Sequence, residues 1–253
     1  MQTLVFDIRL NSLYSIRIPF TWQSALTYPF LPPSAVIGLI ANALQRYKNN
    51  KPPSSCLEQV ENDVLWAGSR LLRPCVIKSY NTSAIIKWED VVGGKFTNVL
   101  CRQFAFTIKI QIATVFKENS NISEISQALQ TTPLTAGDSE SCISVESEPL
   151  ILDTTKREIQ ANEEVETFFP LPFDTELYQI KGEGGKIFLV HPRCRKLASK
   201  NKSRKNKAFK LHMYLFPLKE KQGIISPCSV VLKIKKPTEV YFAQNLALIS
   251  QKI

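Results

Sequence analysis

Leu4, Phe6, Ile8 and Leu10 alternate with polar neighbours, which predicts a half-buried β-strand at the start of the chain. From Ser34 the period changes, and Val36, Ile37, Ile40, Ala43, Leu44 and Tyr47 recur at helical spacing. Ser34 stands where an N-cap belongs, Pro32 and Pro33 stiffen the approach, and KNNKPPSS ends the helix. Residues 11–33 read as irregular, with a short extended piece over 15–20. Residues 56–72 predict a second, less regular helix. Residues 75–88 read as a strand leaving the body of the protein, and 104–116 (FAFTIKIQIATVF) as the strand that returns. Gly93-Gly94 lies between them, so 85–103 reads as a projecting β-hairpin. A short helix over 122–129, introduced by Asn121 or Ser123, and a strand over 142–151 follow.

This is a β-α-β-β-α-β order, the ferredoxin-like (RRM-like) arrangement of the α+β class, in which an antiparallel sheet carries two helices on one face. It predicts a domain over residues 1–152 with a thumb hairpin. An acidic connection covers 153–166, and a smaller β-rich region covers 167–253, where KIFLVH, KLHMYLFPL and SVVLKIKK read as strands. There is no internal repeat.

Composition narrows the setting. With 44% apolar and 21% charged residues in 253, the chain has the makeup of a folded globular protein. No apolar run approaches the ~20 residues that span a bilayer, and MQTLVFDIRL lacks the plan of a signal peptide, so a cytoplasmic location is expected. The cysteines Cys56, Cys75, Cys101, Cys142, Cys194 and Cys228 form no CxxC pair, and only His191 and His212 could join them. Free thiols are expected, with no metal and no cofactor.

Charge changes the picture more. Lys plus Arg number 32 against 22 acids, a net charge of +10, and the excess is segregated. Residues 193–210 carry Arg193, Arg195, Lys196, Lys200, Lys202, Arg204, Lys205, Lys207 and Lys210 with no acid. Residues 138–166 carry nine acids opposed by Lys156 and Arg157 alone. Such segregation points to a side that faces a polyanion.

An N-terminal strand, a loop reaching PFLPPSAVIGLIANAL, a hairpin, and PLTAGDSESCISV opening the last strand together resemble the CRISPR-associated Cas-five family. This is the RAMP-type subunit of type I Cascade complexes that holds the 5′ handle of the guide RNA. The marks are the Pro32-Pro33-Ser34 step, Gly38 within the helix, and the turn Gly137-Asp138-Ser139-Glu140. The pattern is similar to I-A and related I-B versions, and transposon-associated Cascades use such subunits too. The resemblance implies a scaffold whose partners are the crRNA 5′ handle, the backbone subunit and the large subunit. It also implies that the thumb displaces a guide base at the handle–spacer boundary. The basic run 193–210 could then follow the guide RNA or touch target DNA near the protospacer-adjacent motif beside the large subunit, and the sequence does not choose between these.

Four candidate RNA contacts follow. The first turn of a helix offers unpaired N–H groups and partial positive charge to a phosphate; Ser34 stands there, with Gln23, Ser24 and Tyr28 as hydrogen-bonding or stacking groups. The hairpin brings Lys87, Trp88, Lys95, Phe96 and Arg102, the mix of rings and cations that meets splayed bases and phosphates. Gly137 and Ser139 form a turn whose N–H groups can face an anion. The basic run adds Arg193, Arg195, Lys202, Arg204 and Lys205, which give salt-sensitive affinity with little sequence preference. For Gly38, close packing on the sheet is the expected reason.

A related activity is metal-independent cleavage of CRISPR repeat RNA, which needs a general base near the 2′-OH and a cation for the phosphorane. The I-C branch uses Tyr, Lys and His for this, and no such set matches here. Both histidines read as structural. The sequence also lacks a Walker-type loop and a nucleophile elbow. A non-catalytic subunit is the expectation, with a repeat endoribonuclease as the alternative.

Overall fold

The computed structural model describes residues 1–21, 24–49, 51–84, 98–137, 141–194 and 211–250. Strand β1 is Gln2–Leu10 and β2 is Ser24–Ala25; helices α1 (Pro33–Lys48) and α2 (Pro53–Asp63) follow. Next come β3 (Val64–Leu71), β4 (Cys75–Ala84), β5 (Asn98–Phe106) and β6 (Lys109–Phe116). Helix α3 (Ile122–Thr131) leads to β7 (Leu134–Thr135), β8 (Cys142–Val145) and β9 (Leu150–Ile159). The described residues beyond it form strands only: β10 (Glu164–Thr167), β11 (Leu171–Pro172), β12 (Tyr178–Lys181), β13 (Lys186–Val190) and β14 (His212–Phe216). The chain then runs through β15 (Leu218–Lys221), β16 (Ile224–Pro227), β17 (Val230–Ile234), β18 (Thr238–Ala243) and β19 (Leu246–Ile249).

The main sheet has the order β19-β18-β9-β1-β6-β3, and β8 also pairs with β1. β6 lies antiparallel along the whole of one side of β1. The other side is divided: β8 takes Ile8–Leu10 and β9 takes Gln2–Val5. One face of this sheet, through Leu4, Phe6, Ile8, Ile110 and Ile112, packs on Val36, Ile37, Ile40 and Leu44 of α1 and Ile125 and Leu129 of α3. Each such side chain contributes roughly 1.5–3 kcal/mol on burial. The opposite face carries Val5, Trp66, Ala113 and Val115, against which Phe169, Tyr241 and Leu248 pack. β1 is therefore buried on both faces over much of its length, not on one. The alternation in its sequence marks the helix side; the second cover comes from residues far along the chain.

Three other expectations change. Residues 56–72 divide into the C-terminal part of α2 and strand β3, because VLWAGSRL lies between β6 and the 31–34 approach and is buried on both sides. A strand covered twice loses the period of two that would reveal it. Residues 104–116 are two strands that turn at Thr107 and Ile108, so β5 belongs to the ribbon with β4 and β6 to the main sheet. Residues 142–151 are also two strands, β8 and β9, parted around Pro149, which has no N–H for a ladder. The main sheet continues across residues 152 and 153 along β9, which then pairs with β18. Asn121 caps α3 as expected, its side chain accepting from the Glu124 N–H at 3.3 Å.

A five-stranded sheet, β15-β16-β4-β5-β2, stands beside the main one. Its centre is the β4–β5 ribbon, paired from Val76↔Phe106 to Ala84↔Asn98. The tip of the expected hairpin, 85–97, lies outside the described residues. A third core, including Val165, Leu171, Leu232, Ile234 and Val240, fills the C-terminal part.

Candidate nucleic-acid interface

The approach to α1 is core. Tyr28, Phe30 and Leu31 are at most 2% exposed. Phe30 stacks on Phe216 with centroids 3.5 Å apart, and Phe188 meets Phe30 and Tyr28 edge-on. The Tyr28 hydroxyl donates to the Leu189 carbonyl, and burial pushes its pKa up to about 12. Its ring offers no stacking face to a nucleotide, contrary to expectation, because β13 and β14 pack over it. Leu31 exchanges two hydrogen bonds with the Ser69 hydroxyl, at 3.1 and 2.8 Å.

The helix start is also closed. Ser34 is not the cap: Pro32 holds that position, Pro33 opens the helix, and no side chain caps it. Pro33 has no N–H, the Ser34 N–H donates to the His191 carbonyl at 3.3 Å, and the Ala35 and Val36 N–H groups bond the Pro32 carbonyl. The backbone donors of this first turn therefore have partners inside the protein. A Cβ at Gly38 would meet nothing within 4 Å, so close packing does not explain that glycine.

Arg193 is likewise engaged internally. Its guanidinium donates to the Glu61 carbonyl at 3.2 Å, the Glu61 carboxylate at 3.4 Å and the Leu65 carbonyl at 3.3 Å. Next to it the Cys194 N–H donates to Glu61, and the thiol donates to the Ser34 carbonyl at 3.2 Å. Burial, reinforced by Glu61, pushes the Cys194 thiol up to about 12. Gly137 has φ +87°, and a Cβ there would stand 2.6 Å from Ile16 Cγ1 and from the Ser15 carbonyl oxygen. Ser141 fastens the same loop, its hydroxyl donating to the Leu13 carbonyl at 2.9 Å. Both features dock this turn on the segment after β1.

The ribbon is different. Arg102 lies over the ring of Phe104, 4.7 Å from its centroid, and Tyr80 meets the same ring edge-on at 5.8 Å. Tyr80 is 48% exposed. Ser24, on β2, pairs opposite Cys101 and so joins the same sheet. Of the expected contacts, the structure places Ser24 and Arg102 in one sheet, with Ala25 rather than Ser24 opposite Arg102 and Ser24 on the other face. It adds Tyr80 and Phe104, which the period-two pattern R-x-F on β5, read against β4, could have revealed. Gln23, Lys87, Trp88, Lys95, Phe96, Ser139, Arg195, Lys202, Arg204 and Lys205 lie outside the described residues.

His212 faces a cavity of about 740 Å³ lined mainly by apolar groups such as Phe173, Leu177, Leu189, Met213 and Ile249. His191 lies one residue beyond β13. Among the described residues, no helix is long and apolar enough to cross a membrane.

Residues 3–129, just over half of the chain, match the family described as CRISPR-associated protein (Cas_Cas5). The chain belongs to that CRISPR-associated family. A crystal structure of a CRISPR protein from Archaeoglobus fulgidus shares its fold, with TM-score 0.62, 16% identity and 100% of each chain covered. A chain of a CRISPR RNA-guided surveillance complex aligns at TM-score 0.43 with 13% identity, over 84% of this chain and 91% of that one. A chain of a Type III-B Cmr-beta complex bound to cognate target RNA aligns at 0.49 with 11% identity, over 90% and 86%. No curated protein matches in sequence.

Proposed function

We propose that the chain is a non-catalytic, cytoplasmic RNA-binding subunit of a type I CRISPR Cascade effector, which holds the 5′ handle of the crRNA and joins the large subunit to the backbone subunits. Family membership supplies the system. The observation that carries the RNA contact is the Arg102–Phe104–Tyr80 cluster on the open side of the ribbon, a cation and aromatic rings held where bases and phosphates can reach them. The spatial order β8-β1-β6-β3, with α1 and α3 on one face, supports a ferredoxin-like reading of the N-terminal part, and the β4–β5 ribbon stands where a thumb would project.

The test is to mix the purified chain with repeat-derived RNA in EDTA. The expected result is binding that weakens steeply with salt, prefers handle RNA over a scrambled oligomer, and leaves the RNA intact. Site-specific cuts abolished by His191→Ala or His212→Ala would replace this reading with the endoribonuclease. Equal affinity for scrambled RNA would remove the handle from it.

A further inference from the structure

We infer that the solvent-facing side of the five-stranded sheet is a track for single-stranded RNA, one end of which is supplied by the C-terminal β15–β16 hairpin. This rests on the RNA-binding reading above and extends its site from the ribbon onto a distant part of the chain.

Directly opposed residues of antiparallel strands project to the same side. The register opposes Lys78 to Phe104, Tyr80 to Arg102, and Val76 to Phe106. β16 continues the row, since Ile224 opposes Val76, and Lys221 of β15 opposes Ile224. The alternate positions, Cys75, Ala105, Ile225 and Leu218, are all buried in the core, which fixes the other side as the outward one. There Tyr80, Phe106 and Ile224 are 48%, 42% and 46% exposed. Gln222 and Gly223 both have positive φ, the tight two-residue turn that holds Lys221 beside Ile224.

The chemistry of this face is one-sided. Among its described residues stand the rings of Tyr80, Phe104 and Phe106 and the cations Lys78, Arg102 and Lys221, with no carboxylate. Glu220 alternates to the opposite side and pairs with Lys186. Rings interleaved with cations fit bases and phosphates; a protein-docking surface is ordinarily depleted in lysine. Flat exposed rings can stack only on bases that are splayed out, so the ligand is a single strand and not a duplex.

The test measures fluorescence anisotropy of a labelled mixed-sequence single-stranded RNA, and of the same RNA annealed to its complement, against the full chain. The track predicts preference for the single strand, and roughly 5- to 100-fold weaker binding by Tyr80→Ala. Lys221→Glu should flatten the dependence of log affinity on log salt by about 0.7 or more, and Ile224→Asp should weaken binding as well. If Arg102→Glu weakens RNA binding while Lys221→Glu and Ile224→Asp match wild type in affinity and salt slope, the C-terminal hairpin is outside the site and the inference fails, with the RNA-binding reading intact. If Ile224→Asp instead releases a co-purifying protein subunit and leaves RNA affinity unchanged, the face docks protein and the inference is overturned. If wild type binds no single-stranded RNA, the reading beneath it falls too.

Discussion

The Ser34 N–H donates to the His191 carbonyl at 3.3 Å, so the first turn of α1 is closed by backbone from the far half of the chain. The Ser34 hydroxyl makes no cap, whereas Asn121 caps α3 through its side chain. Ser34→Ala should therefore change stability by less than ~0.5 kcal/mol, and Asn121→Ala should cost about 1 kcal/mol, both read by urea denaturation. Equal losses would mean that the serine caps after all.

Arg193 holds Glu61 and the Leu65 carbonyl, and Glu61 in turn holds the Cys194 N–H. Removing the guanidinium leaves a mostly buried carboxylate with fewer partners. Arg193→Ala should destabilise by about 1–3 kcal/mol and leave the salt slope of RNA binding as it was. A flatter slope at unchanged stability would make Arg193 a phosphate contact.

Two glycines should respond in opposite directions. Gly38 lies within α1 with open space where a Cβ would stand, so Gly38→Ala should stabilise by up to ~1 kcal/mol. Gly137 has φ +87° and a Cβ there would collide with Ile16 and the Ser15 carbonyl, so Gly137→Ala should cost more than ~1 kcal/mol. Thermal melts of the two variants should bracket wild type.

The Cys194 thiol, pushed up to about 12 mainly by burial, keeps its proton in the folded state at pH values where the unfolded chain loses it. The unfolded state then binds fewer protons, and stability falls as pH rises. Its contribution should be complete below about pH 8.5, the usual thiol value, and be lost progressively as pH climbs toward 12. Tyr14, raised well above its ordinary value first by burial and then by Cys75, acts in the same sense. Urea midpoints for wild type and Cys194→Ala across this range should converge as the pH rises; a constant gap would rule out the thiol as a source of the loss.

Elements with a partly polar side were legible in sequence. α1 carries a clean period because part of its other side meets water, β1 shows its helix side because polar Thr3, Asp7 and Arg9 alternate with it although distant residues cover its second face, and Asn121 announced its helix through local chemistry. β3 was not legible, since cover on both sides removes the alternation. The turn at Thr107 and Ile108 is hidden because apolar alternation continues through FAFTIKIQIATVF while the chain changes sheets. Tyr28 looked like a surface ring because the residues that bury it, Phe188 and Leu189, lie far away in sequence. The outward face of the five-stranded sheet depends on register between β4, β5 and β16, which no local pattern specifies.

The division of β1 between β8 and β9 has a consequence for how the chain can be cut. The family match spans residues 3–129, yet the sheet at the heart of that region is completed by β9 and extended by β18 and β19. A fragment stopping before β9 would leave the Gln2–Val5 edge of β1 unpaired and uncover Val5, Ala113, Val115 and Trp66. Such an edge beside bare apolar surface is a template for self-association. The stretch that the family match spans is therefore shorter than the stretch that must fold together, and trimming the chain to it would produce a sticky remnant instead of a minimal domain.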